Sequence, residues 1–481
     1  MRSLHHFLWH LGYPQLFRYT IMKKVYTTIL PFLILLISSC EKQDQWLDVK
    51  RNKSDVSPET VTDFQAILDD NSAINTKFST ITLTGTDNII LRDEDLASIN
   101  EQERNAYMWQ KNIWTPGNGY DWNYGFSFIA LSNVILEGLE KVNTTGPDYN
   151  NVKGQALFLR AFSYYFLAQA FCKPYDAATA DSDPGLPLRR TSDANKVFPR
   201  SSLKELYDFI IADGSLAAEL LSDKQSTYFR ANKKAALGLL AKVYLLSGDY
   251  TNALRYANLA IETGSDLLDF NNPEDVSLDR VYRFADRGQK NSEIYYYASG
   301  VYASTYPSAN GKTIVADELY NLYAANDLRK KYFFATEQDR IKFRGTYAGY
   351  YHNFSGIALN EIYLISAECE ARVGSYENGL STLNNLLEKR YLTGSFVPLS
   401  ASDRQEALDL IIQERRKELP FTGTIRWEDL RRFNKDPRLA KTLQRIVNGI
   451  SYSLAPNDLN YTLPIPVEEI QLTNIEQNER H

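Results

Sequence analysis

The chain has 481 residues, of which 44% are hydrophobic and 23% charged, with a formal net charge of −6. At roughly 100–200 residues per domain this length fits two to four domains or one large repeat array, and the composition excludes a wholly disordered chain or a multi-span membrane protein. Arg2, Arg18, Lys23 and Lys24 precede Cys40 and no acidic residue does, so a chain cut at Cys40 carries 49 basic against 59 acidic residues, without the clustered positive charge that nucleic-acid binding needs.

In chain order, Met22-Lys23-Lys24 is a short basic region followed by an apolar run from Val25 to Ile37. Thirteen residues are too few to span a bilayer as a helix, which takes about 20, and suit the core of a signal peptide instead. The run ends in Ile37-Ser38-Ser39-Cys40, which resembles a bacterial lipobox, with Cys40 as the lipidated first residue of the mature protein. We therefore expect residues 1–39 to be a signal peptide with a start at Met22, and residues 40–58 to be a polar, lipidated tether that attaches the protein to a membrane without spanning it. Residues 59–481 are expected to form a single domain.

That domain reads as helical hairpins. Phe126 to Lys141 and Val152 to Phe171 have helical patterning and are separated by the polar cluster Asn143 to Tyr149. Ser202 to Leu221 opens with a serine and Glu205 three residues on, the pattern of a capping box. From Lys233 to Gly264 two apolar stripes recur at three and four residues, interrupted by Ser247-Gly248-Asp249. Ala241, Tyr244, Gly248, Tyr250, Ala253 and Ala260 fall at the offsets of a tetratricopeptide repeat. A second hairpin from Asn360 to Arg390 places Gly374 and Tyr376 where the first has Gly248 and Tyr250, but lacks its later small residues.

Between the hairpins lie segments with other patterns. Ser79 to Leu91 is rich in Thr and Ile, and Asp183-Pro184-Gly185-Leu186-Pro187 reads as a loop. Ser292 to Tyr306 and Gly345 to Ile357 combine Tyr, Gly and Ser with short strand-like runs. The fold expected is mainly α, a tetratricopeptide-like helical-hairpin superhelix with long irregular insertions and a few short strands. Insertions held on a rigid scaffold are where binding residues concentrate.

Catalytic and metal signatures are scarce. His5, His6 and His10 precede Cys40 and His481 is the last residue, so a Ser-His-Asp triad would have to use His352. Three cysteines form no CxxC pair; Cys172 and Cys369 fall in or beside helices and are expected to be buried. No catalytic residue, metal or cofactor is expected. Arg415, Arg416, Glu418, Arg426, Asp429 and Arg431 crowd both charge signs into a short span, which reads as a structural network of paired charges or as an anion or partner contact.

Several of these segments in order resemble the SusD/RagB family, outer-membrane lipoproteins of Bacteroidetes. The residues are Trp46-Leu47-Asp48, Leu159-Arg160-Ala161 with Tyr164 and Tyr165, Pro184 to Pro187, Asn360 to Glu368, Glu414 to Leu419 followed by Arg426 to Arg432, and Leu463-Pro464-Ile465-Pro466 with Gln477-Asn478. Phe421 to Trp427 departs from the family's Phe-Glu-Gly-x-Arg-Trp by lacking the Glu and having one residue more. The resemblance implies a non-enzymatic, lipid-anchored, surface-exposed protein of the cell outer membrane. It would capture an oligosaccharide for a SusC-type TonB-dependent transporter, with peptide capture as the alternative and a surface glycosidase as a further one.

A sugar presents a C–H face that packs on an aromatic ring, and the chain has 32 Tyr, 23 Phe and 6 Trp. Half of the tryptophans, Trp109, Trp114 and Trp122, lie between Asp87 and Tyr124, with Tyr107, Tyr120 and Tyr124. Starch-binding relatives take an Arg, a Trp and an Asn from this region. The resemblance thus implies Trp109 as a platform with Arg92 and Asn112 as hydrogen-bond partners. Trp114 stands nearby, and Tyr296 of the Tyr295-Tyr296-Tyr297 triplet would add a second wall. The competing reading is that these rings plug the insertion onto the helices, since Trp is highly buried on average.

Overall fold

Capping chemistry sets most helix starts in the computed structural model, which describes residues 58–481; the leader, Cys40 and the tether up to residue 57 lie outside the described residues. Thr60 and Asp63 form a reciprocal capping box for α1 (Val61–Leu68), and Asn100 caps α2 (Glu101–Tyr107). Helix α3 (Tyr120–Leu139) follows Gly119, and α4 (Pro147–Phe171) has Pro147 in its first turn. The starts expected at Phe126 and Val152 are therefore late. Proline at a first helical position loses no intrahelical bond and has a pre-set φ, so Pro147 opens a helix inside a cluster that reads as a breaker. Helix α5 (Leu203–Leu220) carries the Ser202–Glu205 capping box that the spacing predicts.

Helices α6 (Lys233–Ser247) and α7 (Tyr250–Glu262) form the central hairpin. Gly248 ends α6 at φ +81°, and Asp249 caps α7 by accepting from Asn252 N–H, so the tight turn needs a residue free to take the left-handed conformation. Ala241, Ala253, Ala257 and Ala260 are all fully buried; their small side chains let the helices approach. In the second hairpin, α8 (Leu359–Val373) and α9 (Tyr376–Glu388), a small residue is present after all. Gly379 stands three residues after Tyr376, as Ala253 does after Tyr250, and a Cβ there would lie 2.6 Å from the Ala367 carbonyl oxygen.

The remaining helices of seven residues or more are α10 (Arg404–Glu418), α11 (Ile425–Phe433) and α12 (Val467–Thr473). From α3 through α9 each helix packs on the next in sequence, and α10 packs on both α8 and α9. Residues Glu59–His481 form one compact unit, mainly α, as expected from the hairpin patterning.

Strands occur as five antiparallel two-stranded pairs among the described residues: β1 (Ile89–Ile90) with β5 (Ile314–Val315), β2 (Pro184–Pro187) with β3 (Arg200–Ser202), β4 (Ile294–Tyr296) with β8 (Ile357–Ala358), β6 (Phe334–Glu337) with β7 (Arg340–Phe343), and β9 (Leu443–Val447) with β10 (Ile450–Leu454). The Pro184–Pro187 segment is thus a strand rather than a loop. Gly185 permits it, because a Cβ there would sit 2.5 Å from the Ser202 carbonyl oxygen.

Much of the charged block is buried and paired. Arg329 meets Asp327, Glu414 and Glu418 at 2.8, 2.6 and 3.2 Å, and Arg390 joins Glu418 to Glu293. A second network runs from Lys242 through Glu361, Arg415, Asp429 and Arg432 to Glu368. Burial opposes the Glu368 charge, but the guanidiniums of Arg432 and Arg372 hold its carboxyl down to about 2. Arg416 and Arg426 converge on Asp87. Arg431 bonds to backbone instead. Its guanidinium donates to the carbonyls of Gln169 and Cys172, while Leu463 N–H and Asn478 Nδ2 donate to Ala170 and Phe171. The last carbonyls of a helix lack partners within it, and here the C-terminal segments supply them to α4. Cys172 and Cys369 are fully buried, and burial pushes the Cys172 thiol up to about 11.

Candidate functional site

The structure scatters the residues that the sequence groups as a platform. Trp109 follows α2 at φ +52°, is only 5% exposed, and donates its indole N–H to the Gly85 carbonyl at 2.9 Å. The Arg445 guanidinium lies 4.4 Å from its ring centroid, so no ring face is free for a ligand. Trp114 is half-buried, donates to the Pro464 carbonyl and packs beside Phe171. Tyr296 is buried with its ring edge-on to Phe158 and Phe162; Tyr295 and Tyr297 are buried as well. Arg92 pairs with Asp339 at 2.6 Å, and Asn112 is exposed. Large aromatic side chains stabilise most when taken out of water, and these insertion segments need anchors of their own.

A different set of rings is exposed. Among all Phe, Trp and Tyr of the described residues, only Tyr120, Tyr302 and Tyr351 count as exposed, at 47%, 51% and 41%. Tyr120 and Tyr302 line one cavity of about 210 Å³, and the Tyr351 ring stands 5.9 Å from that of Tyr302 at 71°. Beyond them the surface continues in aromatic rings: Tyr124 stacks 6.1 Å from Tyr120, and His352 lies 4.5 Å from Tyr351.

Each ring is set by its backbone. Tyr120 begins α3, and the turn before it is held by Gly117 N–H donating to Glu468 at 2.8 Å and Tyr120 N–H to the Asn118 carbonyl at 2.8 Å. Gly117 takes φ +77°. Tyr302 follows Gly300, whose carbonyl accepts from His352 Nδ1 at 2.6 Å; this fixes the His352 loop, and with it Tyr351, beside Tyr302. Burial lowers the His352 pKa, so the imidazole here is a neutral packing group.

Two carboxylates lie under this surface. Glu103 in α2 accepts from Ser304 N–H (3.2 Å), Ser304 Oγ (2.9 Å), Thr305 N–H (2.8 Å) and Asn100 Nδ2 (2.7 Å). That contact ties α2 to the segment carrying Tyr302. Asp121 accepts from Thr80 N–H at 3.1 Å, and burial raises its pKa against the pull of the surrounding hydrogen bonds. Gln102, Thr115 and Asn118 add polar side chains to the lining. Two larger clefts, of about 870 and 420 Å³, have no exposed ring in their walls. No cluster of three or more metal-ligating side chains is present among the described residues.

A SusD-like family model described as "Starch-binding associating with outer membrane" matches residues 45–245, and the SusD family model, SusD_RagB, matches residues 342–481. The chain belongs to the SusD/RagB family. The lining from α2 and α3, Tyr120 included, falls in the first match, and Tyr351, which stands beside Tyr302, falls in the second, whereas Tyr302 lies between them. Among curated relatives, the chain is 27% identical to SusD-like protein P2 of Formosa agariphila, over 93% of this chain and 97% of the relative. It is 22% identical to SusD-like protein P38 of the same organism, over 69% and 74%. Solved structures share the fold. A SusD superfamily protein from Bacteroides thetaiotaomicron superposes with a TM-score of 0.70 at 22% identity, covering 88% of this chain and 100% of the other. A SusD-like carbohydrate binding protein from Bacteroides vulgatus gives 0.64 at 18%, covering 88% and 99%.

Proposed function

We propose that this SusD/RagB-family protein captures oligosaccharides without altering them, at the outer face of the outer membrane, and passes them to a SusC-type TonB-dependent transporter. The carrying observation is that the only exposed aromatic rings among the described residues lie together: Tyr120 and Tyr302 line one cavity with Gln102, Thr115 and Asn118, and Tyr351 stands beside Tyr302. Sugar C–H faces pack on such rings while hydroxyls find partners in amides and phenols. A family model described as starch-binding and a neighbour described as carbohydrate binding favour the same ligand class. The site therefore moves from the Arg92, Trp109, Asn112 set to the exposed tyrosines, with Gln102 and Asn118 as polar partners.

Glu103 and Asp121 hold backbone amides in place rather than flanking an open bond, which supports binding over glycoside hydrolysis. Attachment is assigned to a lipid on Cys40. No helix of the described residues is long and apolar enough to cross a membrane. The test is calorimetric titration of the protein with oligosaccharides of several linkages. Binding that falls roughly two- to tenfold in Tyr302→Ala, the loss of one ring contact, is the expected result. New reducing ends in the titrated sugar, or binding of peptides alone, would overturn it.

A further inference from the structure

This inference rests on the capture reading and narrows its ligand class: we propose that the cavity selects uncharged oligosaccharides and turns away anionic ones. The ionisable acid groups in its lining are Glu103 and Asp121, and no Lys, Arg or His lines it. The four donors on Glu103 are two backbone N–H groups, a hydroxyl and an amide, all uncharged. Asp121 is likewise held by backbone N–H groups. Two basic side chains stand nearby but outside the lining: Arg104 donates to the Ile99 carbonyl, and Lys77 lies 5.2 Å above the Tyr124 ring.

A buried carboxylate without a cation leaves its field directed at whatever enters the cavity, because low-dielectric surroundings screen it weakly. The groups left to meet a ligand are Gln102, Asn118 and the tyrosine hydroxyls, which both donate and accept. A sugar hydroxyl also does both, so it can pair with each of them. A uronate carboxylate only accepts, brings a second negative charge toward Glu103, and finds no guanidinium or ammonium in the lining to offset its desolvation. Glu103 thus has two roles, fixing the Tyr302 segment and setting the sign of the charge the site tolerates.

Neutral hexasaccharides (xylo-, manno-, gluco- and galacto-) and hexagalacturonate are the probes, titrated into the protein at low and at 150 mM salt. The expected result is a neutral ligand bound and hexagalacturonate weaker by about tenfold or more, the equivalent of 1.4 kcal/mol, with the gap narrowing as salt rises. Gln102→Lys, which places a cation in the lining without touching the Glu103 bonds, should raise uronate affinity several-fold over that of the unaltered protein. Glu103→Gln should do the same if its melting temperature holds, and Gln102→Lys carries the test if it does not. Uronate bound as tightly as the neutral ligand and lost in Tyr302→Ala overturns the charge selection while leaving capture standing. An unchanged neutral-to-uronate ratio in Gln102→Lys also overturns it. If no oligosaccharide of either kind binds, the capture reading falls and takes this inference with it.

Discussion

The α6–α7 hairpin and the ligand face are built by opposite rules. In the hairpin, each position answers to neighbours a few residues away: Asp249 caps through Asn252, and Gly248 turns the chain between helices that begin and end beside it. On the ligand face the deciding contacts span the chain. Glu103 reaches Ser304 across 201 residues, and Gly117, in the turn before Tyr120, reaches Glu468 across 351. The first kind of region can be read along the sequence, and the second has to be seen folded.

The largest effect is expected from Trp109→Ala. If Trp109 is an internal anchor, removing it costs roughly 3–5 kcal/mol, as for other buried aromatic truncations, seen as a lower denaturant midpoint. A silent substitution would return Trp109 to the surface. A second large effect belongs to the buried charges. Glu368 is held at about 2 against an ordinary 4.5, so its share of stability is full above about pH 4.5 and is lost as pH falls toward 2. Glu368→Gln should lower stability at pH 7 by roughly 3 kcal/mol and flatten the fall in unfolding midpoint between pH 4.5 and 2.

A smaller effect is expected in the hairpin itself. At Gly248, with φ +81° and nothing within 4 Å of an added Cβ, Gly248→Ala suffers only the left-handed backbone penalty, about 1 kcal/mol. The smallest is Tyr302→Ala, which should change stability by no more than about 0.5 kcal/mol because that ring is 51% exposed.

Legibility followed the range of the contacts. The Ser202–Glu205 box, the Gly248 turn, the mainly α class and the family motifs were readable because capping and periodicity are local signals. The Arg431 guanidinium was not: nothing in Arg426 to Arg432 says that one arginine will close the end of a helix that finished more than 250 residues earlier. The aromatic wealth of Asp87 to Tyr124 was visible, but composition carries no information on which face of a ring is covered. Tyr120, already within that stretch, is the one of its aromatics that ends exposed. Its partners Tyr302 and Tyr351 lie in the Tyr- and Gly-rich segments whose pairing through His352 and Gly300 only the fold makes.

The most direct measurement is the affinity of the combined Tyr120→Ala, Tyr302→Ala, Tyr351→Ala protein for an oligosaccharide that the unaltered protein binds, with the melting temperature followed alongside. The account predicts about a hundredfold weaker binding at an almost unchanged melting temperature. Undiminished binding by a folded triple variant would contradict it.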